Sequence, residues 1–126
     1  MVRNSGFATA AGAAAEGCYA SSPSDNSKNP LSQRARAQHI QKFGTEPGVF
    51  FDNAYAAALA LMQGMNKAGT INDAEKIAEA MRTCYVETPS GRIRFNNKGD
   101  AVGVGLSMYQ VHKGKFAELD YRILLD

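Results

Sequence analysis

Two histidines, two cysteines and a few scattered carboxylates carry most of the reactive chemistry in this 126-residue sequence. Metal binding, nucleophilic attack and proton transfer each need partners at defined spacing. His39 lies among Arg34, Arg36 and Lys42, and His112 follows Val111. Neither has a second His, Cys or carboxylate at ligand spacing, so both read as solvated rings and no metal is expected. Cys18 and Cys84 lack C-x-x-C spacing and are too few for a disulfide scaffold, which leaves free buried thiols. Glu16 and Glu118 show no second acid with which to share general acid–base work. Ser90-Gly91 after Pro89 is a turn and not a nucleophile elbow. Gly103-Val104-Gly105 lacks the third glycine and the strand-then-helix setting of a dinucleotide site, and reads as a flexible spot in a strand. In Asn96-Asn97-Lys98-Gly99-Asp100, Lys98 stands where a calcium ligand is needed and no distal Glu closes the loop, so the segment reads as a hairpin turn. The Arg34/Arg36/His39/Lys42 cluster has the chemistry to meet an anion, but a solvated helix face accounts for it. No catalytic residue and no cofactor are expected; the chain does not read as an enzyme.

The elements that would position these residues follow from periodicity and punctuation. Gly6 and Gly12 argue against a stable helix in residues 1–15. Glu16 to Ser21 reads as a short strand before a Ser-rich loop around Pro23. Asn29 caps a helix with Pro30 in its first turn, which Gly44 ends after Phe43. Phe51, Tyr55, Leu59 and Met62, backed by Ala54, Ala58, Leu61 and Met65, form a wide apolar stripe on a second helix over 50–67, with Gly69 as its C-cap. Asn72 caps a third helix, with Glu75 completing a capping box; Ala74, Ile77, Ala78 and Met81 form its buried face. So short a connection predicts an antiparallel helix pair.

Then the period changes. Arg92-Ile93-Arg94-Phe95 alternates as a half-buried strand, and Val104, Leu106 and Met108 alternate again up to His112. Lys113-Gly114 is a tight hairpin turn, and a final strand runs from Phe116 to Leu125. The expected organisation is a single partial domain over 1–126: a strand and Ser-rich loop in 1–29, three helices in 30–82 and β-hairpins in 83–126.

Composition narrows the function classes. Lys+Arg 14 against Asp+Glu 12 gives +2, too little positive charge for a dedicated nucleic-acid binder. The longest apolar run, 55–65, contains Gln63 and falls short of the ~20 residues that span a bilayer. Met1 to Phe7 holds one basic residue and leads into no leucine-rich centre, so no secretory signal is expected, which places the chain in the cytoplasm if expressed as it stands.

Taken in order, Phe51-Asp52-Asn53-Ala54-Tyr55-Ala56-Ala57, then Asn72 to Met81, then Pro89-Ser90-Gly91-Arg92-Ile93-Arg94-Phe95-Asn96-Asn97-Lys98-Gly99-Asp100, resemble the closing part of one family. That family is the type I solute-binding proteins of bacterial ABC importers, in the branched-chain amino-acid subgroup. Met108 to Phe116 is similar to its terminal strand pair, and Ala14-Ala15-Glu16-Gly17-Cys18-Tyr19 to the strand that leaves its second lobe. The similarity covers 11–119.

The resemblance implies an α/β fold (α+β for this portion alone), with a helix pair packed on C-terminal β-hairpins as part of a two-lobed periplasmic-binding-protein type I architecture. It implies a periplasmic location, a membrane permease as partner of a complete importer, and Leu, Ile or Val as ligand. One ligand contact carries over, the aromatic residue before the Asn-Ala-Tyr helix, here Phe50; the same residue could serve only as that helix's hydrophobic staple. One aromatic without counter-charges should hold a zwitterion weakly. The resemblance also implies that the Phe51/Tyr55/Leu59/Met62 stripe covers a sheet outside this chain, so a homo-oligomer through exposed helix faces is expected. Three roles stay open: solute binding for transport, a stand-alone oligomerising interaction module that binds no amino acid, and a ligand-sensing regulatory domain.

Overall fold

The computed structural model describes residues 5–124 and divides into two compact units, one of residues 5–25 with 105–124 and one of residues 26–104. Met1 to Asn4, on which the reading of a missing leader rests, and Leu125 lie outside the described residues.

The first unit contains α1 (Ser5–Ala11), a 3₁₀ turn (Gly12–Ala15), and strands β1 (Tyr19–Pro23), β5 (Gly105–His112) and β6 (Lys115–Leu124). The strands form an antiparallel sheet in the order β1-β5-β6. Residues 5–11 are helical, against the expectation drawn from Gly6 and Gly12. Gly12 takes φ 54, so it ends α1 instead of weakening its interior, and the alanines before it are strong helix formers. Phe7 anchors the helix on β6, its ring centroid 6.5 Å from that of Phe116. β1 begins at Tyr19 and not at Glu16, because Gly17 has φ 76, a left-handed conformation that no strand contains.

β5 alternates as expected but in the opposite phase. Ser107, Tyr109 and Val111 are buried, whereas Leu106 is exposed and Met108 only half-buried. A one-residue slip of phase exchanges the two faces of a strand. Tyr109 decides the phase: its hydroxyl donates to the Pro23 carbonyl at 2.7 Å, while the Ser107 and Ser24 hydroxyls share a bond at 2.8 Å.

The second unit contains α2 (Pro30–Phe43), α3 (Phe51–Ala68), α4 (Ala74–Arg82), and strands β2 (Val86–Thr88), β3 (Gly91–Phe95) and β4 (Ala101–Val102) in an antiparallel sheet of that order. Asn29 caps α2 by accepting from the Leu31 N–H, and Gly44 and Gly69 end α2 and α3 in the left-handed conformation, as read. The cap of α4 is Asp73, one residue beyond Asn72. Its carboxylate accepts from the Lys76 N–H at 3.1 Å, so the Asn72–Glu75 box does not form.

The core of this unit is small: Ala56, Ala60, Val86 and Ile93, with Leu59, Met81, Cys84, Phe95 and Val104 packed around them. On α3 the buried line is therefore Asp52, Ala56, Ala60 and Gly64, spaced by four. The expected wide stripe is largely outside: Tyr55, Leu61 and Met62 are 38%, 43% and 57% exposed. Small residues win the inner face because they admit close packing. A Cβ on Gly64 would collide with the Met81 side chain of α4. Gly103 belongs to no strand but to the break between β4 and β5, with φ 94.

Candidate functional site

Three of the side chains singled out above, Arg36, His39 and Phe50, lie at the start of α3. Phe50 occupies its N-cap position with φ −94 and ψ 12, and its carbonyl accepts from the Ala54 N–H at 3.0 Å. Its ring is 53% exposed. A hydrophobic staple is made by the residue before the cap, so Phe50 stands one position too late to serve as one.

Beside it, the first turn of α3 is tied to α2 by charge. Asp52 is buried; its Oδ2 accepts from Arg36 Nη2 at 3.0 Å and Nε at 3.3 Å, and its Oδ1 from the Ser32 hydroxyl at 3.0 Å. The carboxylate also lies in the first helical turn, where unpaired N–H groups favour negative charge. Arg36 thus turns inward from the face expected to be solvated. Ser32 has no exposed surface, and its hydroxyl is spent donating to the Asp52 carboxylate and accepting from the Arg36 guanidinium, so no substrate reaches it. The network positions the helix start and does no chemistry.

Aromatic contacts complete the support. The His39 ring lies 4.8 Å from Phe43 and 5.1 Å from Phe51, and Phe51 is 6.0 Å from Tyr55. The Arg36 guanidinium sits 5.7 Å from the Phe51 ring centroid, and the Lys42 ammonium 5.3 Å from that of Phe43. Arg34 remains on the surface and lines a shallow cavity of about 280 Å³ with Leu31, Gln38, Tyr55 and Leu59. His39 is therefore half-buried, packed against two aromatic rings and solvated on its remaining side.

The remaining candidates belong to other elements. Asn96 closes the β3–β4 turn by accepting the Lys98 and Asp100 N–H groups at 2.9 Å each, a hairpin turn as read. Cys18 and Cys84 are free, and the Cys84 thiol donates to the Ala80 carbonyl. His112 does have a carboxylate partner: Glu16 lies 3.4 Å from its Nδ1. Glu118 accepts from the Asp25 N–H at 3.3 Å. Among the described residues no three His, Cys, Asp or Glu side chains cluster as a metal would require. No described helix is long and apolar enough to cross a membrane. The missed supporting network, Ser32–Arg36–Asp52, had a faint signal in the four-residue spacing of Ser32 and Arg36 on one helix face.

A family described as periplasmic binding protein matches residues 2–115. The leucine-, isoleucine-, valine-, threonine- and alanine-binding protein of Pseudomonas aeruginosa is 35% identical over 112 residues, 89% of this chain and 30% of that protein. A Leu/Ile/Val-binding protein of Rhizobium johnstonii is 33% identical over 103 residues, 81% of this chain and 28% of that protein. Among solved structures, the leucine binding protein LivK of Thermotoga maritima matches with a TM-score of 0.76 at 25% identity, covering 95% of this chain and 34% of that one. A Brucella ovis leucine-, isoleucine-, valine-, threonine- and alanine-binding protein in its closed conformation shares the fold, with a TM-score of 0.71 at 20% identity over 94% of this chain and 34% of its own. The chain thus spans 28–30% of the length of these curated relatives.

Proposed function

Because the chain belongs to the periplasmic binding protein family, we propose that it is the closing part of a solute-binding component of a branched-chain amino-acid importer. In this reading it binds leucine, isoleucine or valine in the periplasm, presents it to a membrane permease, and catalyses nothing. The observation that carries the reading is the 35% identity, over 89% of this chain, to a protein named for binding those amino acids. Phe50 is the ligand contact: an exposed ring held at a helix start by the buried Asp52 network offers an apolar wall for an aliphatic side chain. The groups that meet the ligand's ammonium and carboxylate come from the remainder of the fold, because a zwitterion is not held without counter-charges. Work is done by a shift of population between open and closed lobes, not by covalent steps.

A second reading has its own support. The exposed Tyr55, Leu61 and Met62 of α3 suit a stand-alone module that associates with a second copy and binds no amino acid. Calorimetric titration of this chain with leucine, isoleucine and valine, with the molecular mass measured by light scattering on the same sample, separates the two. Submillimolar binding favours the solute-binding reading. Silence together with a dimeric mass favours self-association.

A further inference from the structure

The hairpin turn of the first unit carries a feature unrelated to solute binding. Both of its residues, Lys113 with φ 51 and Gly114 with φ 75, are left-handed, the pattern of a type I′ turn. Glycine adopts this freely, but lysine does so at a cost. The N–H groups of these two residues lie outside the β5–β6 ladder, in which His112 pairs directly with Lys115. Glu16 receives both: Oε1 accepts from the Lys113 N–H at 3.0 Å and Oε2 from the Gly114 N–H at 3.3 Å. His112 Nδ1 stands 3.4 Å from Oε1. Glu16 is itself the C-cap of the 3₁₀ turn Gly12–Ala15, its own N–H bonded to Ala13.

We propose that the Glu16 carboxylate is an acid-released clasp, tying the 3₁₀ turn to the β5–β6 hairpin through two turn N–H groups and the His112 imidazole. Neighbouring ties do not titrate. The Gly17 N–H donates to the Val111 carbonyl and the Val111 N–H to the Cys18 carbonyl, each at 2.9 Å, while Gln110 Nε2 donates to the Gly17 carbonyl at 3.2 Å. Release is therefore confined to residues 12–16 and the turn, and β1 stays in its sheet.

The charges facing the carboxylate favour its ionised form. His112 is the charge-bearing side chain that faces it, and Lys113 of the turn and Lys115 of β6 are the other basic residues at this end of the hairpin. α1 and the 3₁₀ turn contribute no ionisable side chain, Cys18 of the adjoining segment contacts the Ala14 carbonyl, and Glu118 is engaged with Asp25. The Lys113 N–H is the main cause that holds the Glu16 carboxyl below its ordinary 4.5, with the Gly114 N–H and His112 adding to it and partial desolvation opposing. A depressed carboxyl gives a contribution that is complete above the ordinary value and is lost as pH falls through the lowered one. The clasp is closed at neutral pH and open in strong acid.

This proposal is independent of the solute-binding reading. Its test is amide proton–nitrogen NMR of the full chain from pH 2 to 8, with Glu16→Gln and His112→Gln alongside. The Lys113 and Gly114 resonances should move together with one midpoint below 4.5. That movement should vanish in Glu16→Gln and persist with a higher midpoint in His112→Gln. Amides that stay fixed below pH 5, or that move equally in Glu16→Gln, would overturn it. If the Glu16 variant does not fold, the wild-type midpoint and its direction of change in His112→Gln decide.

Discussion

Replacing Asp52 with alanine is expected to lower the stability of the chain by about 2–3 kcal/mol, and the melting temperature by about 10 °C. Removing one partner of a buried ion pair commonly costs more, but the Arg36 side chain retains 31% exposure and can recover part of its hydration. The Ser32 hydroxyl, fully enclosed, loses its acceptor as well. Arg36→Ala should cost at least as much, because it strands the carboxylate, which is the more deeply buried partner at 7% exposure. Asp52→Asn keeps an acceptor for Ser32 and should lose about half as much as alanine. Urea unfolding of the three variants checks the order. Equal stability of Asp52→Ala and wild type would mean that the network does not hold the start of α3.

Gly103→Ala is expected to cost about 3 kcal/mol, from two causes that a control separates. With φ 94 the backbone disfavours any L side chain. In addition, the new methyl would collide with the Arg92 carbonyl oxygen, a backbone atom held beside Ile93. Ile93 belongs to the core and cannot give way cheaply. Gly99 has φ 90 but open space around the site of a Cβ, so Gly99→Ala should show only the backbone part, about 1 kcal/mol. Thermal unfolding of both gives the comparison, and equal losses would refute a clash at Gly103.

These two positions also mark what could be read in advance. Caps and turns were legible because they depend on one or two residues: Asn29, Gly44, Gly69 and Lys113-Gly114 each act through local backbone geometry. The helix over 51–68 was legible from its period. Its inner face was not, because the wide apolar stripe outweighed the line Asp52, Ala56, Ala60 and Gly64 that packs in this chain. β5 failed for a related reason. Both of its faces carry apolar residues, and the Tyr109 bond to Pro23 that selects one joins segments far apart in sequence. The Asp52–Arg36 pair was hidden for the same cause: it joins two helices, and beyond the Ser32–Arg36 spacing on one of them each residue alone looks like helix-surface charge. Phe50 entered through family resemblance, and the geometry adds that it caps α3 with its ring exposed.

The central claim is that this chain supplies the closing part of an amino-acid-binding cleft, with Phe50 as its contact. It is tested most directly by exchanging the chain for the matching 112-residue stretch of the Pseudomonas aeruginosa relative and measuring leucine, isoleucine and valine binding by calorimetry. The account predicts a folded chimera that binds at least one of the three, and at least a tenfold loss of affinity, about 1.4 kcal/mol, in its Phe50→Ala variant. A folded chimera that binds none of them, or binds equally well without the Phe50 ring, would contradict it.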